Sequence, residues 1–439
     1  MNRIVLLAMM NVVVLTACPP PEPITDAGRK DGGTDGGSNS SAFTVTTLDS
    51  TAKETLGIAV AFDSAQERIG IAYFTPSGTE TQTGVPDYDL KYMEWKQGSV
   101  VVQPQKVRLM QRLAGVTIAF HPTTGEPIIG YLGGNQGLVV GQSIYWFQSD
   151  AAYSTRVNGV WTETVLAVEG NEVLCNDPLS DRGFLVGLWP ALTYDSAGKL
   201  YFAYRDGHDG QFGTQDWSAS DVELWEGTPP PSMKRPLYCG GSNKVGNGGH
   251  MQMVMANGQP TLVYDQINSE AVGDGSNVVF QMRKTDGSWT QATPLLTIAN
   301  TMLGPSLAWD SMEGYGIAVT DGNSNQLRYI NSMNGTAWND PDEVFGSGTG
   351  GWWPSLAMDP VNHEPAIAFY ICSPASARTQ CLPAEDELRV TQRIGPSWRD
   401  VVVDPEGGFL PKLGFFASGK RVVVYRHPTT GVIKLAVEK

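Results

Sequence analysis

Cysteine, histidine and basic residues are scarce in this 439-residue chain. It holds five cysteines, five histidines, and 30 lysines and arginines against 45 aspartates and glutamates. The resulting charge of −15 argues against nucleic acid and anionic membrane surfaces as partners, because both are bound through basic patches. No HExxH or GxSxG motif occurs, and the cysteines lack metal-ligand spacing. The sequence therefore offers no ready zinc-protease or serine-hydrolase centre. Beyond residue 17 no apolar run approaches the roughly 20 residues that a membrane-spanning helix needs. Neither a recurrent WD dipeptide nor a kelch-like glycine doublet is present.

The chain opens with Arg3 and the apolar run IVLLAMMNVVVL, interrupted only by Asn11. This run is too short for a span and suits a secretory signal. LTAC, Leu15 to Cys18, follows. An aliphatic residue, two small residues and a cysteine resemble the lipobox of bacterial lipoproteins. That resemblance implies removal of residues 1–17 and lipid on the thiol and amine of Cys18, with the bilayer held through that anchor. Pro19 rather than Asp follows the cysteine, so the expected address is the outer membrane of the cell envelope. Residues 18–41, CPPPEPITDAGRKDGGTDGGSNSS, carry almost no large apolar side chain and are predicted to form a disordered tether. A coil of that length spans about 25 Å.

Residues 42–439 exceed the size at which a single ordinary core stops growing, so they form two domains or a repeat architecture. A repeat is visible. IAVAFDSAQERIGIAYF starts at Ile58, VTIAFHPTTGEPIIGYL at Val116, PALTYDSAGKLYFAYRD at Pro190 and MQMVMANGQPTLVYDQ at Met251. GPSLAWDSMEGYGIAV starts at Gly304, WPSLAMDPVNHEPAIAF at Trp353 and PKLGFFASGKRVVVYR at Pro411. Each copy is a short apolar run, a tight turn rich in Asp, Asn, Gly, Pro or Ser, and a second apolar run. Such short runs of Val, Ile, Tyr, Phe and Ala suit buried strands joined in a hairpin. A second hairpin follows in most copies, as in NVVFQMRKTDGSW from Asn277 and QLRYINSMNGTAW from Gln326. Trp161, Trp289, Trp338 and Trp398 close these hairpins and are expected to seal each sheet against its neighbour.

Seven copies of four antiparallel strands predict an all-β chain folded as a seven-bladed β-propeller. One such sheet cannot cover both its faces, and a closed ring of sheets can. The last copy ends at Lys439 after its third strand, while AFTVTTLD, residues 42–49, reads as a lone strand. That N-terminal strand is predicted to complete the last blade and close the ring. TDGSW, Thr285 to Trp289, resembles a degenerate Asp-box of sialidase-type propellers. The PSLA and NG-W patterns resemble those of bacterial propeller lectins. These resemblances concern blades and carry no catalytic residue across.

Any site is expected on the face bearing the second-to-third-strand loops (75–88, 132–149, 205–220, 266–276 and 371–386) and the linkers 167–188 and 236–249. Long loops in compact domains are commonly functional. Cys175, Cys239, Cys372 and Cys381 all fall there and predict two disulfides, with Cys372–Cys381 and Cys175–Cys239 favoured among three connectivities. RDGHDGQFGTQDWSASD, Arg205 to Asp221, supplies the ligand-binding candidates Arg205, Asp206, His208, Asp209 and Trp217, joined by Trp352 from a later copy. Asp206, Asp209, Asp216 and Asp221 could hold Ca²⁺, which prefers oxygen ligands, although their spacing matches no known loop. Trp189 and Trp353 precede equivalent strands, where packing at the channel mouth competes with stacking on sugar rings. Arg205, Arg328 and Arg426, with Tyr204, are the residue types that a sialidase centre requires.

The expected function is a monomeric binding module for a glycan, surface polymer or protein partner. A carbohydrate-active hydrolase or lyase and a structural envelope component are the alternatives. The Cys18→Ser chain should lose incorporation of labelled palmitate and move from the membrane to the soluble fraction; unchanged labelling would show that Cys18 carries no lipid.

Overall fold

A computed structural model describes residues 42–52, 57–80, 86–110, 115–133, 136–140, 143–147, 150–167, 186–207, 220–239, 246–267, 275–299, 304–321, 326–345, 350–371 and 386–439. Apart from one 3-10 turn, Ser64–Gln66, the regular elements among them are strands. Seven four-stranded antiparallel sheets form the blades. Blades 1 to 6 span residues 57–110, 116–167, 186–238, 246–299, 306–345 and 350–404. Blade 7 joins three strands of residues 409–438 to Phe43–Asp49. The first strands of consecutive blades contact one another all the way round, blade 7 against blade 1 included. The ring is therefore closed.

The inner edge of each first strand has no further strand to bond. Neighbouring blades satisfy part of it with side chains. The Leu192 N–H donates to Thr117 Oγ1 at 3.4 Å and the Leu307 N–H to Gln252 Oε1 at 3.1 Å. The Leu356 N–H donates to Ser306 Oγ and the Leu413 N–H to Ser355 Oγ, both at 2.9 Å. The acceptors occupy one register position in blades 2, 4, 5 and 6. In blade 7 that position is Lys412, whose amine is pulled down by burial.

A second repeated feature lies one strand further out. Tyr73, Tyr131, Tyr204, Tyr264 and Tyr425 stand at equivalent points of the second strands; in blade 6 Phe369 holds that point and Tyr370 follows it, and all six tyrosines are fully buried. A buried phenol needs an acceptor, and each finds one. Tyr73 donates to Asp49 at 2.6 Å, Tyr425 to Asp404 at 2.6 Å and Tyr264 to Gln281 at 3.0 Å. Tyr204 donates to Glu223, Tyr370 to Asp386, and Tyr131 shares a 2.6 Å bond with Ser154. Blade 5 has Val319 at this point.

The tryptophans play the sealing role expected of them. Trp161 meets Tyr92 of the preceding blade edge-on at 5.2 Å, Trp338 meets Phe280 at 4.9 Å and Trp398 meets Tyr329 at 5.3 Å. Trp289 packs into the cluster centred on blade 3. At the closing seam Trp95 of blade 1 stacks on Phe416 of blade 7 at 5.8 Å.

Two elements go beyond the repeat pattern. Blade 3 has a second hairpin, Asp221–Gly227 with Met233–Tyr238, although its sequence lacks the motif of the others. A further hairpin, Gln136–Val140 with Ser143–Phe147, lies between the second and third strands of blade 2.

The ring closes as predicted. Phe43 pairs with Glu438 and Asp49 with Ile433, and the Lys439 N–H donates to the Ala42 carbonyl at 3.0 Å. Phe43 is buried with Leu413, Phe415 and Tyr425, and Leu48 is buried with blade 1 side chains. Asp49 ends this strand and ties it onward. Its Oδ1 accepts from the Thr51 and Ala52 N–H groups at 2.8 and 3.2 Å, while Oδ2 takes the Tyr73 hydroxyl of blade 1. Burial pushes the Asp49 carboxyl up, but the bonds from Thr51 and Tyr73 outweigh it and hold the carboxyl below the usual range. A lowered folded-state value contributes stability above the unfolded value, 3.8, that is lost as pH falls through the folded one. Asp49→Ala should cost about 2–4 kcal/mol at neutral pH by orphaning the Tyr73 hydroxyl. It should also shrink the stability lost in the acid limb. Urea unfolding at pH 7 and pH 3 measures both, and equal losses in the two chains would refute the seam's role.

Candidate functional site

The turns between first and second strands are short, and those between third and fourth strands are shorter or similar except in blades 4 and 5, where residues 283–292 and 333–341 intervene. The linkers and second-to-third-strand connections leave from the opposite face. At that face each first strand begins, and in six of the seven a left-handed residue lies just before the strand or within its first five residues. These are Gly115 (φ 91°), Trp189 (43°), His250 (47°), Gly304 (73°), Trp353 (51°) and Leu410 (54°). Glycine adopts this conformation freely, whereas Trp, His and Leu pay roughly 1–2 kcal/mol each for it. The other non-glycine residues with positive φ, Glu67, Gln97, Asn158, Asn257 and His363, sit in reverse turns on the short-turn face. Non-glycine strain in the mouth of the channel is a pointer to function rather than to chain reversal.

Two of the strained residues are neighbours. The Trp189 indole and the His250 imidazole lie 5.5 Å apart, tilted at 48°. The Arg205 guanidinium stands over the Trp189 ring at 5.2 Å. Arg205 is buried, and that burial pushes its guanidinium down to about 10 against the opposing pull of Asp206. The Nδ1 of His250 bonds to Oδ2 of Asp265 at 2.8 Å, with the carboxylate fully buried and the ring one-third exposed. The buried carboxylate orients the imidazole and leaves its far edge towards the mouth.

A polar ladder supports this corner. Thr297, Asn277, Gln266 and Asn247 come from the four strands of blade 4, outer to inner. Thr297 Oγ1 donates to Asn277 at 2.8 Å, Asn277 Nδ2 to Gln266 at 3.0 Å and Gln266 Nε2 to Asn247 at 2.7 Å. The Asn247 N–H then donates to Ser220 Oγ of blade 3 at 2.7 Å. Satisfied buried networks of this kind hold geometry rigidly. Gly248, with φ 88°, leaves space for Arg205, because an added Cβ would lie 3.0 Å from the arginine's own Cβ.

The predicted residues are placed unequally. Arg205 and Asp206 end the second strand of blade 3, and Asp206 pairs across the sheet with Asp221. All three are buried at the base of the 205–220 loop. His208, Asp209, Asp216 and Trp217 lie outside the described residues, as do Cys18, Cys175, Cys372 and Cys381. Cys239 is disulfide-bonded. No group of three or more metal-ligating side chains occurs among the described residues. Trp352 belongs to blade 6, apart from Arg205, and is only 4% exposed, packed with Tyr370 and Phe409. Its neighbour Trp353 is the half-buried indole of that corner, 5.0 Å from the Phe409 ring.

The sialidase residue set is dispersed. Arg205, Arg328 and Arg426 belong to blades 3, 5 and 7, and Arg328 is paired with Asp321 at 3.0 Å. Burial and the Glu223 charge push the Tyr204 hydroxyl far up, and the ring is fully buried.

No protein-family model and no curated protein matches the sequence. Among solved structures the chain is similar to the BP39L lectin from Burkholderia pseudomallei at 11% identity and a TM-score of 0.53, covering 87% of this chain and 95% of the lectin. It is also similar to the Hadza microbial sialidase Hz136, 12% identical with a TM-score of 0.46, over 80% of this chain and 73% of that one. A mutant of NanB sialidase from Streptococcus pneumoniae is 12% identical with a TM-score of 0.44, over 90% of this chain and 70% of that one. The resemblance to lectin-like propellers is thus met at the level of the fold.

Gly248→Ala should lower unfolding free energy by about 2–4 kcal/mol, combining left-handed strain with displacement of Arg205. Gly258→Ala, also left-handed (φ 71°) but with open space around an added Cβ, should cost only about 1 kcal/mol. Equal losses would show that Arg205 is free to move aside.

Proposed function

We propose that the protein is a lipid-anchored, glycan-binding propeller of the bacterial envelope, and that the blade 3–blade 4 corner of the elaborated face holds the glycan. The observation carrying this reading is the half-buried Trp189 indole, strained into place between the Arg205 guanidinium and the Asp265-oriented imidazole of His250. Sugar rings offer apolar C–H faces to an indole and hydroxyls to polar groups at its rim, and such sites combine an aromatic surface with a few fixed polar groups. The fold shared with a lectin is compatible with this reading. Arg205, Asp206, His208, Asp209 and Trp217 would then lie at or beside the bound sugar, and Trp352 would support Trp353 from behind.

The experiment is a glycan array followed by calorimetry on the best binder, with product analysis in parallel. Trp189→Ala should weaken binding by about ten-fold or more, and Trp353→Ala should have a smaller effect. A chain that binds no glycan, or binds equally well without the Trp189 ring, would overturn the reading. Release of reducing ends or unsaturated sugars would replace it with the carbohydrate-active enzyme.

A further inference from the structure

The exposed apolar side chains are unevenly shared between the two faces. Among the described residues, Val101, Val157, Val160, Met233, Met312, Met333, Val361 and Ile394 are more than half exposed. All but Val101, which lies in the outer strand of blade 1, sit in or beside a turn on the short-turn face. Single exposed apolar residues are ordinary; a contiguous group is not.

Four of the seven form one group on blades 5 and 6. Met312 and Val361 sit in first-to-second-strand turns, Met333 and Ile394 in or beside third-to-fourth-strand turns. Gly314, two residues after Met312, lies against the Met333 backbone, where an added Cβ would come within 2.6 Å of its Cα. Arg393, next to Ile394, pairs with Glu313, next to Met312, and with Glu364 at 2.9 Å. His363 pairs with Asp310 at 2.9 Å across the same two blades. The charges of this patch are thus paired with one another, with carboxylates in excess, and the exposed tips between them are apolar.

The chain enters the propeller on this same face. Third strands run from the elaborated face to the short-turn face, so Glu438 ends on the latter, and its partner Phe43 begins there. Blade 7, which receives that strand, adjoins the patch: Gly419 of its first turn lies against Val361. Ala42, where the described residues begin, thus stands on the face that carries the exposed methionines, valines and isoleucine.

We propose that the short-turn face of blades 5 and 6, through Met312, Met333, Val361 and Ile394, rests on the lipid bilayer. Neutral lipid is the partner of fitting chemistry, given exposed apolar tips, internally paired charges and an acidic chain. The elaborated face, with Trp189 and His250, then points away from the membrane towards soluble or surface glycans. A bilayer within reach of a short tether is presented at high effective concentration, so a modest apolar patch suffices to hold the orientation. The inference rests on the Cys18 anchor of the proposed function.

The test uses the full chain, purified with its anchor and reconstituted in vesicles of phosphatidylcholine and phosphatidylethanolamine. An environment-sensitive fluorophore is placed at Met312→Cys, Ile394→Cys or, on the elaborated face, the exposed Ser50→Cys. Reconstitution should reduce iodide quenching at positions 312 and 394 by about three-fold or more and leave position 50 unchanged. Mass spectrometry of the Cys18 peptide reads the anchor separately. A lipidated, vesicle-bound chain whose three probes are quenched alike overturns this orientation and leaves the anchor standing. A chain without lipid on Cys18 overturns both. Protection that rises with protein concentration at constant lipid assigns the face to a second copy of the chain and likewise overturns the proposal.

Discussion

Backbone N–H groups on the inner edges of the first strands have no fifth strand to bond. An unpaired sheet edge either recruits another chain or must be satisfied locally. In this ring, side chains at one register position of the preceding blade accept those donors: Thr117, Gln252, Ser306 and Ser355. Each such bond works only if the next blade arrives at the correct tilt and height, so edge satisfaction and ring geometry are one constraint. The buried tyrosines one strand further out apply the same logic at the linkers. The carboxylates of Asp49 and Asp404 end outer strands, accept backbone donors of the following linker, and take a phenol from the next blade. Hydrophobic contact between blades supplies the bulk of the stabilisation, while these directional bonds set where each blade stands.

Much of this was legible in the chain because it repeats. Apolar runs of strand length around Asp, Gly or Pro turns specify a hairpin, and seven of them specify a wheel. The lone strand AFTVTTLD and the unfinished last copy identified the seam. What escaped notice had no local signature. Blade 3's second hairpin reads EGTPPPSM where its counterparts have a glycine turn and tryptophan. The hairpin of residues 136–147 alternates well enough, but no other copy has one to compare it with. The inner-edge acceptors are Thr, Gln and Ser in strands that otherwise look apolar, and only the ring explains why polar residues stand there.

The candidate site was half legible. Reading long loops as functional pointed to Arg205 and Asp206, which lie buried at the base of the blade 3–blade 4 corner. In the sequence Trp353 precedes PSLAMD as Trp189 precedes PALTYD, a placement that suggests packing and favours Trp352 as the contact residue; the structure instead buries Trp352 and half-exposes Trp353. Asp265 attracted no attention because it sits just after an apolar run, where aspartate commonly ends a strand. Its partnership with His250 depends on pairing between the first two strands of blade 4 and on the left-handed backbone at the histidine. Sequence shows that residues are close in the chain. It does not show which side chain a strained dihedral turns towards the channel.

The composite last blade also has a bearing on biogenesis. Phe43–Asp49 is synthesised long before its hydrogen-bonding mate, Ile433–Glu438. Until that mate is made this strand waits with an open edge, and the wheel cannot lock. A chain cut short by even a few residues retains a strand that nothing covers. The arrangement therefore doubles as proofreading: only a polypeptide that reaches Glu438 presents no loose strand to proteases.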